Sequence, residues 1–332
     1  MNRIAAVVVN WNTREALAEC LTAAVLESER APLDIVVVDN ASTDGSADMV
    51  EARFPGVRLI RNPVNAGFAA AANIGLRLLM EDGGSEFFLL LNPDAIVRPG
   101  CIAALARHLA DNPRTGACGP ALVLPDGGFQ PGAGGFFPSV RTAAVHFLFL
   151  SRLFPRRRRP LFLHQKAYAG GREAVEVDWL TGACLMIRRR TLEETGFLDE
   201  RRFIYAEDID WCARMKRHGW SARYLPYEAA VHAHGLASQG APPGAGRRPK
   251  ADVRWIVELL DYVAGDRGRL EAAAFRIVAA AGFLLRAAGY GASRLMRPGR
   301  SALRGRAGAM FQYFLRLTMF PHKNRLIGMG TR

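Results

Sequence analysis

The stretch LLLNPDAIVRPG, residues 89–100, joins an apolar run to an abrupt polar ending. Similar apolar runs occupy residues 4–9, 35–39, 57–60 and 86–91. Because their hydrophobicity is continuous rather than alternating, they predict strands that are covered on both faces, as in a parallel sheet. Segments of helical length separate the runs, at residues 13–27, 44–53 and 66–80, and the expected N-caps of the last two are Thr43, Asp44 and Asn65. This order predicts a doubly wound, mostly parallel α/β sheet.

Each of the four predicted strands is followed by polar residues, which include Asn10, Asp39, Asn62 and Asn92. The carboxyl ends of parallel strands form one edge of the sheet, and ligands bind beyond that edge. A single acid after a strand is commonly only a helix cap. Four polar endings on one edge predict a binding site there.

Asp94 and Asn92 offer oxygen ligands at the end of a buried strand. Mg²⁺ and Mn²⁺ prefer oxygen ligands, and Mg²⁺ typically links one or two carboxylates to substrate phosphates. Asp94 can supply the carboxylate, whereas Asn92 can supply an amide oxygen or a hydrogen bond. The alternative is an ordinary turn, since Asn and Pro are both common turn residues. The carboxylate of Asp39 could accept hydrogen bonds from a base or a ribose.

Further candidates lie in the second half of the chain, where residues 207–218 have helical spacing and residues 222–234 are predicted to be extended. Glu207 and Asp208 open the helix, where the dipole stabilises acids and is expected to lower their pKa. An ionised carboxylate in a cleft can take a proton from an attacking hydroxyl. One of His232 and His234 could reach a metal, although a lone histidine is more often structural.

The charge of +13 is unevenly distributed along the chain. Residues 1–240 carry 27 basic and 26 acidic residues, whereas residues 241–332 carry 17 and 5. This contrast predicts a near-neutral globular domain at 1–240 and a cationic extension at 241–332 that favours an anionic surface.

The five cysteines indicate a reducing environment. Their number is odd and they form no Cys-x-x-Cys pair, so a disulfide framework or a structural zinc site is not expected. The apolar run at 4–9 is too short for the core of a signal peptide and is predicted to be the first strand. A cytoplasmic location is therefore expected.

Several motifs together resemble family 2 glycosyltransferases of the GT-A fold, particularly bacterial rhamnosyltransferase-like members. The matching segments, in order, are VVVNWN (7–12), VVVDNASTDGS (36–46), RNPVNAGFAAAANIGL (61–76), LLLNPDAIVRPG (89–100), WLTGACLMIRR (179–189), FLDERRFIYAEDIDWCARMKRHGW (197–220) and VHAHGLAS (231–238). The resemblance implies an inverting transfer, with Mg²⁺ or Mn²⁺, from a nucleotide-diphospho-sugar. The favoured donor is dTDP-L-rhamnose, with UDP-sugars next, and the acceptor is a lipid-linked (polyprenyl) or cell-surface glycan.

The resemblance also implies roles for individual residues. Asp39, near Asn10, corresponds to the acid that binds the nucleotide, and Asn65 and Gly67 correspond to the loop that closes over it. Asp94 corresponds to the metal-binding acid of an Asp-x-Asp element in which Asn92 replaces the first acid. Asp208, beside Glu207, corresponds to the catalytic base. His232 matches the late metal-contacting histidine better than His234 does.

The extension has helical periodicity at residues 251–263 and 272–297, and arginines interrupt the second segment. Charges in its middle argue against a simple membrane span, so an amphipathic helix in the headgroup region is expected. The alternative is a helix that packs on the protein. No recognised nucleic-acid-binding module is present in the sequence, so a nucleic-acid partner is not expected.

Two other functions are compatible with an acid-rich sheet edge. A nucleotidyltransferase would need a glycine-rich, basic phosphate loop after the first strand, where this chain has NWNTRE. A non-catalytic carbohydrate-binding protein would not need the acids Asp39, Asp94 and Asp208.

Overall fold

The computed structural model describes residues 3–150, 159–233, 253–296 and 301–319. The chain forms two compact units. Unit 1 comprises Met1–Gly135 and Phe162–Ala245, and unit 2 comprises Phe136–Leu161 and Gly246–Arg332. The boundary expected at 240/241 lies outside the described residues. In addition, an internal segment that the sequence analysis left in the first domain belongs to unit 2.

The elements follow one another in this order: β1 (Arg3–Asn10), α1 (Arg14–Glu27), β2 (Leu33–Asn40), α2 (Ser46–Arg53), β3 (Arg58–Asn62), α3 (Phe68–Glu81), β4 (Ser85–Leu91), β5 (Ala95–Val97), α4 (Cys101–Asp111), β6 (Thr115–Val123), β7 (Gly134–Gly135), α5 (Val140–Phe147), β8 (Val175–Val177), β9 (Trp179–Leu180), β10 (Cys184–Arg188), α6 (Arg189–Thr195), α7 (Glu207–Arg217), β11 (Ser221–His232), α8 (Arg254–Arg267), α9 (Arg269–Met296) and α10 (Ser301–Met319).

Unit 1 is built on a mixed sheet with the strand order β3-β2-β1-β4-β10-β6-β11-β5, and β8 also pairs with β11. The predicted strands β3, β2, β1 and β4 are parallel, as expected. Beyond β4 the sheet becomes mixed, because β10 is antiparallel to both β4 and β6. β6 is parallel to β11, and β5 is antiparallel to β11. A mostly parallel α/β sheet is therefore confirmed.

The apolar runs of β1, β2 and β4 form the core of this sheet, and Val8 and Phe88 are fully buried. The run at 57–60 lies mostly in β3 at the edge of the sheet, where none of its residues is buried, so the expectation of cover on both faces was wrong for this strand. Helix α3 lies directly on β1 at Gly75, where a Cβ atom would come within 2.6 Å of a methyl group of Val7. Such a close approach requires glycine. The sequence therefore fixes both the strand and the distance at which the helix packs on it.

Helices α2 and α3 begin later than expected. Their N-caps are Gly45 and Gly67, which have φ of +80° and +87°, rather than Asp44 and Asn65. The two polar side chains still bind the adjoining backbone, because Asp44 accepts from the N–H of Ser46 and Asn65 accepts from the N–H of Gly67. The capping chemistry was therefore predicted, but each helix begins one or two residues later.

Unit 2 is helical. Gly282 of α9 lies against Phe147 of α5, where a Cβ atom would be 2.5 Å from that of Phe147. Phe147, Phe275, Phe283, Trp255 and Tyr313 form its aromatic cluster. The sequence analysis predicted α8 and α9 but did not predict α10. Among the described residues, one segment, Arg269–Ser293, has the length and composition to cross a membrane, although a core helix can meet the same criterion.

Candidate active site

The carboxyl ends of β1 and β2 bring Asn10 and Asp39 together, and the two residues pair in the strand register. Asp39 is buried, and its Oδ1 atom accepts a hydrogen bond of 2.8 Å from Nδ2 of Asn10. Its Oδ2 atom accepts a hydrogen bond of 3.0 Å from the backbone N–H of Ser42. The side chain predicted to bind a nucleotide is therefore held in one orientation at the predicted edge.

The loop before α3 is fixed by Asn40, whose role the sequence analysis missed. The Nδ2 atom of Asn40 donates to Oδ1 of Asn65 at 2.8 Å and to the carbonyl of Gly67 at 3.2 Å. Its Oδ1 atom accepts from Nδ2 of Asn62 and from the N–H of Ala66, both at 3.1 Å. Buried amides commonly organise loops in this way. Its neighbour Asp39 had the only obvious charge there, so Asn40 was overlooked.

At the end of β4, Asn92 and Asp94 meet His232 from the far end of β11. The Nε2 atom of His232 lies 3.0 Å from Oδ1 of Asp94 and 3.2 Å from Nδ2 of Asn92. Nδ1 of the same ring lies 2.6 Å from Oε1 of Gln130. His232 and Asp94 are both buried. Three of the residues predicted from sequence therefore come together, whereas Gln130 was not predicted.

The Asp94–His232 pair suits a divalent cation that is also bound by a ligand. A carboxylate oxygen and an imidazole nitrogen can both serve as metal ligands, and Oδ1 of Asp94 and Nε2 of His232 lie 3.0 Å apart. In the described part of the chain, no three His, Cys, Asp or Glu side chains cluster as a metal site. The protein would thus contribute few ligands, as is usual where substrate phosphates supply the others.

Asp208 lies at the start of α7, next to the turn that joins β9 to β10. Its Oδ1 atom accepts from the N–H of Ile209 at 2.8 Å, and its Oδ2 atom accepts from the N–H of Gly182 at 3.3 Å. The hydroxyl of Thr181 also binds this carboxylate. The same turn meets the end of β4, because the N–H of Asn92 donates to the carbonyl of Ala183 at 3.0 Å. The backbone between residues 181 and 183 therefore links Asp208 to the Asn92–Asp94 turn.

Burial raises the pKa of Asp208 to about 6, and the hydrogen bonds from Ile209, Gly182 and Thr181 oppose this rise without cancelling it. The expectation that the helix dipole would lower the pKa was therefore wrong, because loss of solvation outweighs the dipole. The carboxylate is still mostly ionised at pH 7, and it is a stronger base than an exposed aspartate. A pKa close to the working pH suits a general base.

The backbone that leads into α7 is strained. Tyr205 and Ala206 have φ of +72° and +67°, a region that residues with a Cβ atom rarely adopt. Strain of this kind tends to occur at functional sites. The same loop is tied to the start of α3, because the carbonyl of Phe203 accepts from the N–H of Phe68 at 2.8 Å. The loop that carries Asp208 and the loop around Gly67 are therefore in contact.

Glu207 and His234 are the remaining candidates from the sequence, and Asp210 is a further acid in the first turn of α7. Glu207 is buried, with 6% of its surface exposed. Asp210 binds Arg214 at 3.0 Å, which agrees with a structural role in the helix. His234 lies outside the described residues. Gln130 and Thr181, which the sequence analysis missed, are single polar residues in a loop or turn, and no motif marks them.

Comparison with known proteins identifies the family of the chain. A family model described as "Glycosyltransferase like family 2" matches residues 2–256. N-acetylglucosaminyl-diphospho-decaprenol L-rhamnosyltransferase of Mycobacterium tuberculosis is 32% identical over 246 residues, which cover 72% of this chain and 78% of that protein. The dTDP-rhamnosyl transferase RfbF of Shigella flexneri is 25% identical over 234 residues, which cover 70% of each chain.

Solved structures share the fold. The mannosyltransferase PcManGT from Pyrobaculum calidifontis, in complex with GDP-Man and Mn²⁺, has a TM-score of 0.57 at 20% identity, covering 94% of this chain and 87% of that one. GalNAc-T7 with UDP, GalNAc and Mn²⁺ has a TM-score of 0.56 at 19% identity. The match covers 79% of this chain but only 47% of GalNAc-T7. The family model and the relative of 32% identity both match more than two thirds of the chain, which therefore belongs to glycosyltransferase family 2 and has the GT-A fold.

Proposed function

We propose that the chain is an inverting rhamnosyltransferase. It takes L-rhamnose from dTDP-L-rhamnose and transfers it to a polyprenyl-linked or other glycan acceptor at the membrane. The observation that carries this proposal is the link between the buried Asp94–His232 pair and Asp208 through the backbone of residues 181–183. The activities for which the two relatives are named support rhamnose as the sugar, and one of them supports a diphospho-polyprenol acceptor.

The donor would be held at the edge formed by β1, β2 and β4. Asp39 is buried in a fixed orientation, so it can accept hydrogen bonds from the nucleotide with little loss of side-chain entropy. Asn65 and Gly67 lie in a loop that Asn40 holds in place. Asp94 and His232 would hold Mg²⁺ or Mn²⁺ beside the diphosphate. When bound, the ion would act as a Lewis acid that stabilises negative charge on the departing nucleoside diphosphate.

Asp208 would act as the general base. Its carboxylate takes the proton from the acceptor hydroxyl, while the hydroxyl oxygen bonds to C1 of the sugar. The bond from C1 to the diphosphate oxygen breaks, and its electron pair leaves with the nucleoside diphosphate. One displacement with base and leaving group on opposite faces inverts the anomeric centre. Hydrogen bonds from Gly182 and Ile209 orient the carboxylate for this step.

Unit 2 would attach the enzyme to an anionic membrane surface from the cytoplasmic side. Helix α9 presents an exposed apolar stripe with spacings of three or four residues, formed by Leu270, Ala273, Ile277, Ala281, Leu284, Ala288 and Ala292. Leu270 and Ile277 are 90% and 70% exposed. Exposed apolar surface of this extent commonly marks an interaction site. The excess of basic residues beyond position 240 would add attraction to anionic lipids.

Two arginines of α9, Arg276 and Arg286, support a lipid-facing stripe because they bind within unit 2. The Nη1 and Nη2 atoms of Arg286 donate to the carbonyls of Phe147 and His146 at 2.7 and 3.0 Å. Its guanidinium also stacks 4.2 Å from the ring centroid of Phe149. The Nε atom of Arg276 donates to the carbonyl of Leu317 at 2.5 Å. These cations, which argued against a membrane span, are therefore compatible with an apolar surface that lies in the headgroup region.

The function is tested with the purified full chain and a panel of nucleotide sugars, using N-acetylglucosaminyl-diphospho-polyprenol as acceptor. We expect nucleoside diphosphate release and glycolipid product with dTDP-L-rhamnose, stimulation by Mn²⁺ or Mg²⁺, and loss of activity with a chelator. The anomeric configuration of the product is measured by NMR. Transfer only from another nucleotide sugar would overturn the assigned donor, and retention of configuration would overturn the single displacement.

A further inference from the structure

Gln130 is buried beside the candidate metal site, and the proposed mechanism gives it no role. It follows β6 in a tight reversal, where its N–H donates to the carbonyl of Leu122 at 2.9 Å. Only 3% of its surface is exposed. Its side-chain oxygen lies 2.6 Å from Nδ1 of His232, a residue of β11 that is 102 positions further along the chain. A short, buried contact of this kind fixes the orientation of both groups.

The contact determines which ring nitrogen of His232 carries the hydrogen. An amide oxygen can only accept, so Nδ1 must donate to Oε1 of Gln130. In the neutral ring, Nε2 then carries the lone pair and can accept from Nδ2 of Asn92. Nε2 of the neutral ring and the carboxylate oxygen 3.0 Å away are both electron-pair donors, so a proton or a metal cation between them removes their repulsion. The imidazole is thus presented in the form that binds a metal.

A second buried amide holds Gln130 in place. The side chain of Gln165 donates to the backbone carbonyl of Gln130 and to that of Leu122. Its Oε1 atom accepts from the N–H of Leu122 at 2.9 Å and from the hydroxyl of Tyr224 at 3.0 Å. Gln165 is 2% exposed. The position of Gln130 is therefore set by β6 and β11 rather than by a free loop.

We infer that Gln130 is a positioning residue. It holds His232 in the tautomer and orientation in which Nε2 faces the divalent cation beside Asp94. This inference rests on the metal use included in the proposed function. Groups that hydrogen-bond the second nitrogen of a ligating histidine typically change metal affinity about 10–100-fold when they are removed. Removing the amide of Gln130 is expected to change metal affinity by a factor in this range, although Gln130 contacts neither the donor nor the acceptor.

The role of the amide also predicts which substitutions of Gln130 weaken cation binding and which one preserves it. Gln130→Met keeps the length of the side chain but removes the acceptor, so the ring loses its partner. Gln130→Asn keeps the amide but shortens it by one methylene, so the oxygen no longer reaches Nδ1. Gln130→Glu keeps an acceptor of the same length and adds a negative charge, which raises the basicity of the ring. The first two substitutions should therefore weaken cation binding, and the third should preserve it.

The test titrates Mn²⁺ into each full-length variant in the presence of dTDP, with free Mn²⁺ measured by electron paramagnetic resonance. We expect about 10–100-fold weaker Mn²⁺ binding for Gln130→Met and Gln130→Asn, and a change within about threefold for Gln130→Glu. The melting temperature without metal is the control for folding. If Gln130→Met unfolds, Gln130→Asn still tests the inference, because its amide keeps the pocket polar. Wild-type affinity in folded Gln130→Met and Gln130→Asn would overturn the role of Gln130 alone. A wild-type protein that binds no Mn²⁺ would instead overturn the proposed metal use, and the inference with it.

Discussion

Nε2 of His232 lies 3.0 Å from Oδ1 of Asp94, although the two residues are 138 positions apart in the chain. The sheet produces this contact, because β11 pairs with β5 so that His232 lies opposite Ala95, the residue after Asp94. The N–H of Ala233 also donates to the backbone carbonyl of Asp94 at 3.0 Å. Strand pairing therefore positions both groups before any ligand binds, as preorganised sites require.

Asp94→Asn should abolish the effect of Mn²⁺ on donor binding and lower transfer at least about 100-fold, because it removes the carboxylate but keeps the shape. Donor affinity is measured by calorimetry with and without Mn²⁺. Asp34→Asn is the control, since this acid of β2 pairs with Arg3 near the surface. Donor affinity that still responds to Mn²⁺ in Asp94→Asn would remove Asp94 from the metal site.

Asp208→Asn should keep donor affinity and lower transfer about 10²–10⁴-fold, because it removes the base with little change of shape. Single-turnover assays and donor titrations separate the two effects. Asp210→Asn is the control, because Asp210 is in the same helix and binds Arg214. If Asp208→Asn retained activity within about threefold of wild type, the base would be Glu207 or another group.

The same substitution should increase stability at neutral pH. Burial raises the folded-state pKa of Asp208 from 3.8 to about 6, so folding favours the protonated form. Ionisation of Asp208 therefore lowers the free energy of unfolding. This loss is complete above about pH 6 and disappears as the pH falls toward 4. We expect Asp208→Asn to gain about 1–3 kcal/mol at pH 8 and almost nothing at pH 4. Denaturant unfolding at both pH values measures this, and an equal gain at both would contradict it.

The pH dependence of transfer should follow the same group. Because the base must be ionised, kcat/KM should rise about tenfold per pH unit below pH 6 and level off above it. The profile of a slow but active variant such as Asn40→Ala, in which the loop before α3 loses its anchor, should have the same midpoint. A midpoint near pH 4 in the wild type would mean that an exposed carboxylate, rather than Asp208, is titrating.

The sequence predicted the sheet edge well for a physical reason. Short continuous apolar runs between helical segments are typical of buried strands, so the residues directly after them, such as Asp39 and Asp94, had predictable positions. Their hydrogen-bond partners were harder to predict. Gln130 reaches His232 only because β6 and β11 are neighbours, and β6 lies between β10 and β11 in the sheet. This order depends on tertiary packing, which local periodicity does not encode.

The pKa of Asp208 could not be predicted from sequence for a similar reason. Its position at a helix start was visible, so the favourable dipole was expected, but its burial was not. The segment around α5 shows the same limit. Long-range packing, such as the close approach of Gly282 to Phe147, joins that segment to unit 2, and neither residue belongs to a motif.

Gly67→Ala should severely disrupt the site, because a Cβ atom there would lie 2.5 Å from the carbonyl oxygen of Phe203. The position also has φ of +87°, which strains any residue but glycine. Gly127→Ala is the matched control, since its φ is +81° but nothing lies within 4 Å of the new Cβ atom. We expect Gly127→Ala to lose about 1 kcal/mol of stability from backbone strain. Gly67→Ala should lose more, because its ψ of 172° lies in a region that is essentially restricted to glycine, and only this variant should lose donor binding and transfer. Equal activity in the two variants would show that the contact with Phe203 is dispensable.

Ile277→Asp should weaken binding to membranes, because it places a charge in the middle of the exposed stripe on α9. Burying an isoleucine side chain contributes about 1.5–3 kcal/mol, so its loss should lower the partition coefficient at least tenfold. Leu26→Asp is the control, since Leu26 is 51% exposed on α1 of unit 1. Flotation with vesicles that contain anionic lipid measures the partition coefficient, and neutral vesicles should bind much less.

Salt separates the electrostatic attraction from the burial of the apolar stripe. At about 0.5 M salt the Debye length falls to about 4 Å, which screens the basic residues but leaves apolar burial intact. Wild-type binding should therefore weaken with salt without vanishing, whereas Ile277→Asp should release completely. If Ile277→Asp and Leu26→Asp bound vesicles equally well, the stripe would not be the membrane contact.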